Sequence, residues 1–192
     1  MASPVGHTLS GIVIYSLVQR LQQKQLTLKD WKVLLPFLFL PNLPDIDFLI
    51  GYVLNGDPHA MHGGVTHSLG FILLVSVFAI PFRFFGSATK TFFISFALLG
   101  SHLLLDMTSG QLFMGGKGYG VMLFYPFSEQ KVHLPVTLFW GPQHRMMEDL
   151  FSIENVYGIF WEILIFTPII FFLRKRQQKA DSVRKIGGSY EA

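Results

Sequence analysis

His102-Leu-Leu-Leu-Asp106 sets an imidazole and a carboxylate at i and i+4, one turn apart on one helical face. Its neighbours are apolar, and an ionisable pair inside such a helix is costly unless it serves a site. Leu43-Pro44-Asp45-Ile46-Asp47 ends a proline-rich stretch. In an extended or turn conformation its two carboxylates point the same way and reach one cation. His62-Gly63-Gly64-Val65-Thr66-His67-Ser68 brackets a glycine turn with two imidazoles, and Thr66 or Ser68 is placed to cap the next helix or orient a ligand. His7 opens the first apolar segment and Glu154 opens the last. Each element alone has a plainer role: a helix cap, a solvated loop acid, a buried His–Asp hydrogen bond.

Taken together they form a metal-ligand set. The chain has no cysteine, so thiolate sites, disulfides and thiol nucleophiles are excluded. A nitrogen and oxygen donor set without sulfur suits Zn²⁺, Mn²⁺ or Fe²⁺ better than Ca²⁺ or Cu⁺. The candidate ligands are His7, Asp45, Asp47, His62, His67, His102, Asp106 and Glu154. That is more than one tetrahedral zinc can use and favours two ions, an arrangement suited to hydrolysis of a phosphoryl or acyl group. Asp47 and His67 are the candidate catalytic residues.

The elements that must position these residues are membrane helices. In 192 residues, 51% are hydrophobic, 14% charged and 20 are Phe. Soluble domains carry about 25% charged residues, so a soluble globular or a disordered chain is disfavoured. Five apolar segments are expected, near 8–19, 33–44, 68–82, 91–105 and 156–173, the second kinked or re-entrant at Pro36, Pro41 and Pro44. The expected fold is all-α, a bundle of four to five membrane helices. A Gly/Pro/aromatic-rich loop region at 110–150 would cover its non-cytoplasmic face. Residues 1–173 form one domain, and 174–192 a basic, disordered cytoplasmic tail suited to anionic lipid.

If the segments alternate, 12 of the 15 Lys and Arg fall on one side and only Lys117, Lys131 and Arg145 on the other. The positive-inside rule puts the larger set in the cytoplasm. All seven His and eight of the twelve acids then share the non-cytoplasmic face. A small net charge of +3 in such a chain points to lipid rather than nucleic acid as the partner.

Four motifs in order (Gly6-His7, Leu43 to Asp47, His62 to Ser68, and Ser101-His102-Leu-Leu-Leu-Asp106) resemble the bacterial membrane-bound metal-dependent hydrolases, the YdjM-like inner-membrane-associated family. The resemblance spans about residues 6–160. The family's His-Arg-Gly-X-Thr-His-Ser hallmark is met except that Gly63 stands where the Arg would be, which bears on an anionic-substrate contact. The resemblance implies a multi-helix inner-membrane protein with a divalent metal site. It implies ligand roles for His7, Asp45, Asp47, His62, His67, His102 and Asp106, and for Glu154 only loosely. A weaker likeness to zinc-dependent phospholipase C suits phosphoester chemistry.

Other residues have quieter expected roles. His59 and His133 would lie at a rim, His144 and Glu148 on a loop, and Glu162 in an interhelical hydrogen bond. Phe124, Tyr125, Phe127, Phe139 and Trp140 would form an interfacial belt. The expected function is metal-dependent hydrolysis of a phosphoester in a lipid or lipid-linked substrate; the alternative is a non-catalytic metal-binding membrane protein (sensor, transporter or assembly scaffold). The orientation is directly testable in this cysteine-free background. A membrane-impermeant maleimide should label Lys131→Cys in intact spheroplasts and Arg83→Cys only after permeabilisation; the reverse pattern overturns the orientation.

Overall fold

A computed structural model describes residues 1–22, 31–58, 60–110, 120–141 and 152–187. It is mostly helical: α1 (Pro4–Gln22), α2 (Trp31–Phe39), α3 (Ile46–Asn55), α4 (Leu69–Ala79), α5 (Ala88–Met107) and α6 (Ile153–Gly187). His59, the glycine-rich run over 115–119 with Lys117, and the His144/Glu148 pair lie outside the described residues.

Local chemistry sets the boundaries. Pro41 and Pro44 lack the N–H that an α-helical ladder needs, and Leu40–Asp45 runs as a 3₁₀ segment between α2 and α3. The kink expected there is this segment. Gly56 closes α3 at φ 69°, its N–H reaching the Tyr52 carbonyl at 2.9 Å. Ser68 caps α4 by accepting from the Phe71 N–H, and Ser87 caps α5 by accepting from the Lys90 N–H.

Three stretches are long and apolar enough to cross a membrane: Val33–Asn55, Ala88–Met107 and Ile153–Ala180; Leu69–Phe82 is a shorter apolar helix. Of the five expected segments, the first lies in α1, which does not meet that length-and-composition measure among the described residues. Large apolar side chains remain exposed on these helices, among them Leu49 and Val53 of α3, Phe78 of α4, and Phe160 and Phe171 of α6. Such surfaces suit lipid tails and would be a liability in water. From Arg174 the helix continues to Gly187, where the sequence suggested a disordered tail. Arg, Lys, Gln and Ala propagate a helix already nucleated by the apolar segment before them.

α5 is the axis of the bundle. Leu105 packs with Ala2, Phe139 and Phe166; Leu98 with Phe37 and Phe85; Leu99 and Leu103 with Ile72. Beyond its C-terminal end, Ser109–Gly110 (β1) pairs in parallel with Phe139–Trp140 (β2), and Val121 bridges Val132. This extended segment is tied to the helix ends: the Leu69 N–H donates to Leu123, and the Leu134 N–H to Met107. Of the expected aromatic belt, Phe127 is 96% exposed but Phe139 is buried and stacks on Phe166, because pairing with β1 turns it inward.

α1 and α2 cross so closely that a Cβ on Gly11 would sit 1.9 Å from the Phe37 carbonyl oxygen. Gly11→Ala should therefore separate the two helices and destabilise the fold by about 1–3 kcal/mol, read as a lowered thermal midpoint in detergent. An unchanged midpoint would disprove this close crossing.

Candidate metal centre

Four chain segments bring their chemical groups to one end of α5. The first turn of α1 supplies His7, the 3₁₀ segment ending at Asp45 supplies that carboxylate, the 3₁₀ turn Val65–His67 supplies His67, and α5 supplies His102 and Asp106. His7, His67, His102 and Asp106 have fully buried side chains, whereas Asp45 is 25% exposed. Donor atoms of His7, His102 and Asp106 lie within 4.8 Å of one another, as do those of Asp45, His62 and His67. The two groups adjoin, and either could hold a metal ion.

The tautomers follow from the partners. His102 Nδ1 lies 2.7 Å from the Pro41 carbonyl, which only accepts, so this nitrogen carries a proton. His67 Nδ1 faces Asp47 Oδ2 at 3.1 Å and is a donor by the same reasoning. The Nε2 atoms of these two rings then face each other at 3.1 Å. Between neutral imidazoles that contact sets two lone pairs against each other, and it requires a cation, either a proton or a metal.

Two carboxylates close on the same point. Asp45 Oδ1 is 3.4 Å from His67 Nε2 and 3.5 Å from His102 Nε2; Asp106 Oδ2 is 3.5 Å and 3.1 Å from the same atoms. A four-coordinate zinc with bonds of about 2.0–2.1 Å has ligand–ligand edges of about 3.3–3.4 Å. Beside this group His7 Nε2 lies 3.5 Å from Asp106 Oδ1 and 3.9 Å from Asp45 Oδ2. Each aspartate thus turns one oxygen to the His67/His102 pair and the other to His7. The His7 ring stacks on His102 at a centroid distance of 3.7 Å. Among the described residues neither of its nitrogens has a hydrogen-bond partner, and Asp106 Oδ2 has none either.

Asp47 stands elsewhere. Expected to point with Asp45, it instead accepts from His62 Nδ1 (2.9 Å), the Gly63 N–H (3.1 Å), Thr66 Oγ1 (2.6 Å) and His67 Nδ1. The reason is local: Asp45 closes a 3₁₀ segment and Asp47 lies in the first turn of α3, where residues i and i+2 do not share a face. Asp47 therefore sits behind the imidazoles and orients them. Glu154 is exposed in the first turn of α6 and is not brought to the cluster. His133 is exposed. Two contributors had no side-chain signature in the sequence, namely the Pro41 carbonyl and the Ala2 N–H, which donates to Asp106 Oδ1 at 2.8 Å.

The sequence model described as YdjM inner membrane protein matches residues 1–179. The chain belongs to this family. No curated protein and no solved structure matches it. Within this YdjM family member, Gly63 stands at φ 80° and turns its N–H onto Asp47, so the position serves the cluster through its backbone.

Burial disfavours the His67 imidazolium, but hydrogen bonds to Asp45 and Asp47 and the charge of Asp106 outweigh it. They raise its pKa from 6.5 to about 9. A group raised on folding contributes stability that is complete below its unfolded value and fades as pH rises through the folded one. In chelator-treated protein that contribution is therefore full below 6.5 and lost through about 9. Histidine-selective NMR should show His67 titrating near the upper value, and Asp47→Asn should lower it. A His67 that titrates near its ordinary value in the parent protein would contradict this electrostatic balance.

Proposed function

We propose that this YdjM family member is a membrane-bound metal-dependent hydrolase acting on a phosphoester of a lipid or lipid-linked substrate. The observation that carries the proposal is the convergence of two imidazole nitrogens, each with its other nitrogen committed as a donor, on two aspartates in a buried setting. Asp45, His67, His102 and Asp106 would hold one ion. His7 would hold a second with the remaining oxygens of Asp45 and Asp106, while His62 flanks the site from the Asp47 side. Zn²⁺ and Mn²⁺ suit these donors. The chemistry such ions supply when bound is Lewis-acidic: activation of water and neutralisation of charge developing on phosphoryl oxygens.

The chain's own residues do the rest. Asp47 keeps the His67 proton on Nδ1 and so reserves Nε2 for the cluster, the role carboxylates play behind metal-bound histidines. Asp45 is the most exposed member of the cluster, so substrate would enter past it. The segment over 120–141, anchored at this same end, exposes Phe124, Phe127, Leu134, Val136 and Leu138. An apolar rim beside a polar mouth favours an amphiphilic substrate held at the membrane surface. Sorting of the basic residues would put that mouth on the non-cytoplasmic side.

A second reading has support in the burial itself. Closed metal sites are structural and catalytic ones keep a position open, and four of the five converging side chains are closed. A non-catalytic metal-binding membrane protein is the alternative. Protein purified without chelator should carry one to two ions per chain by mass spectrometry; less than about 0.2 per chain removes the metal reading. With Mn²⁺ or Zn²⁺ it should turn over a phospholipid or a generic phosphodiester. His102→Ala should abolish turnover while the protein still elutes as a folded species. Stoichiometric metal without turnover of either substrate class would select the non-catalytic reading.

A further inference from the structure

The imidazoles of this cluster are not held alike. His102 is fixed through Nδ1 by the Pro41 carbonyl, and His62 and His67 through Nδ1 by Asp47. Among the described residues His7 has no hydrogen bond at either nitrogen; its Nε2 faces Asp106 at 3.5 Å and its ring stacks on His102. Its position depends on where the first turn of α1 is docked.

That docking is done from another helix. Glu162 lies nine residues into α6, fully buried. One carboxylate oxygen accepts the Ser3 N–H at 2.7 Å and the other accepts the Ser3 hydroxyl. The same hydroxyl accepts the Gly6 N–H at 3.2 Å, and the His7 N–H donates to the Ser3 carbonyl at 3.0 Å. A carboxylate from α6 thus caps α1 across space, satisfying N–H groups that a helix start leaves open and complementing the positive end of its dipole. Gly6 makes the approach possible: a Cβ there would fall 2.7 Å from Glu162 Cδ and under 3 Å from both carboxylate oxygens. On the other side Ala2 is tied to Asp106.

We infer that Glu162 is a positioning residue for the metal centre, fixing His7 among the ligands by clamping the Ser3–Gly6 turn. The inference rests on the metal-centre reading and names a residue beyond the cluster. It also supplies what His7 lacks, since ligand histidines are ordinarily oriented by a partner at the second nitrogen.

Co²⁺ binding to the full chain in detergent, followed by the visible absorption of the ion and by titration, separates the two claims. Glu162→Ala should weaken Co²⁺ binding about 10- to 100-fold, the usual cost of losing an outer partner, and should alter the absorption envelope. Glu162→Gln keeps an oxygen for the Ser3 N–H and should restore most of the affinity. Gly6→Ala tests the clamp without removing a charge, and should reproduce the loss even where Glu162→Ala does not yield folded protein. The deciding comparison is made in a His7→Ala background, where Gly6→Ala and Glu162→Ala should have no further effect on affinity. An equal loss with and without His7 would mean a merely structural role and would overturn the inference. So would unchanged binding in both Glu162→Ala and Gly6→Ala. If the parent chain binds no Co²⁺, it is the metal reading that fails.

Discussion

The contact on which the site depends is the 3.1 Å approach of His67 Nε2 to His102 Nε2. Two lone pairs do not remain at that separation away from water without a cation between them. A proton can fill the place, and the raised pKa of His67 supplies one up to about pH 9. A proton, however, satisfies one donor–acceptor line, whereas here Asp45 and Asp106 close on the same point from two further directions. Buried like-charged oxygens gain little from a proton already shared by two nitrogens. A divalent ion could satisfy all four, which a shared proton does not.

The surrounding fold reads as the means of holding that point. α5 contributes to all three core clusters and also carries His102 and Asp106. Displacing it would disturb the packing and the His/Asp cluster together. The remaining groups arrive from places where regular helix has just begun or failed: a first turn, a proline-driven 3₁₀ segment, and a three-residue turn after Gly64. Side chains at such breaks escape the i, i+4 repeat and can be aimed inward from several directions. They also lie near helix ends, where charges in a membrane protein cost least.

How much of this was legible in the sequence depends on how local each relation is. His102 and Asp106 were legible because helical spacing alone decides that they share a face, and their 3.1 Å contact follows. The gathering of His7, Asp45 and the His62–His67 turn at one end was legible from the sorting of charges. The aim of each side chain was not. Asp45 and Asp47 looked equivalent until the 3₁₀-to-α junction fell between them and turned one to the Nε2 atoms of His67 and His102 and the other to the Nδ1 side of His62 and His67. Glu154 looked well placed because it opens α6, yet its first-turn position faces outward. Glu162 was conspicuous as a lone charge among apolar residues. Its partner Ser3 lies 159 residues away, a distance across which no periodicity carries information, and Gly6 explains itself only once that carboxylate is seen against it.

The distribution of exposure limits what kind of site this can be. A proton or ion pathway needs exposure at both of its ends, yet among the described residues of the cluster His7, His67, His102 and Asp106 are sealed, and only the adjoining Asp45 and His62 are partly open. On the proposed reading, whatever the site acts on would enter and leave through that opening. The polar atoms at that opening include oxygens of Asp45. An anionic headgroup meeting this mouth without a bound ion would meet a carboxylate, which repels it. On the proposed reading, a bound ion would therefore serve the attraction of such a substrate as well as the chemistry. On the proposed reading, attraction for an anionic substrate would come from the metal and the apolar rim together.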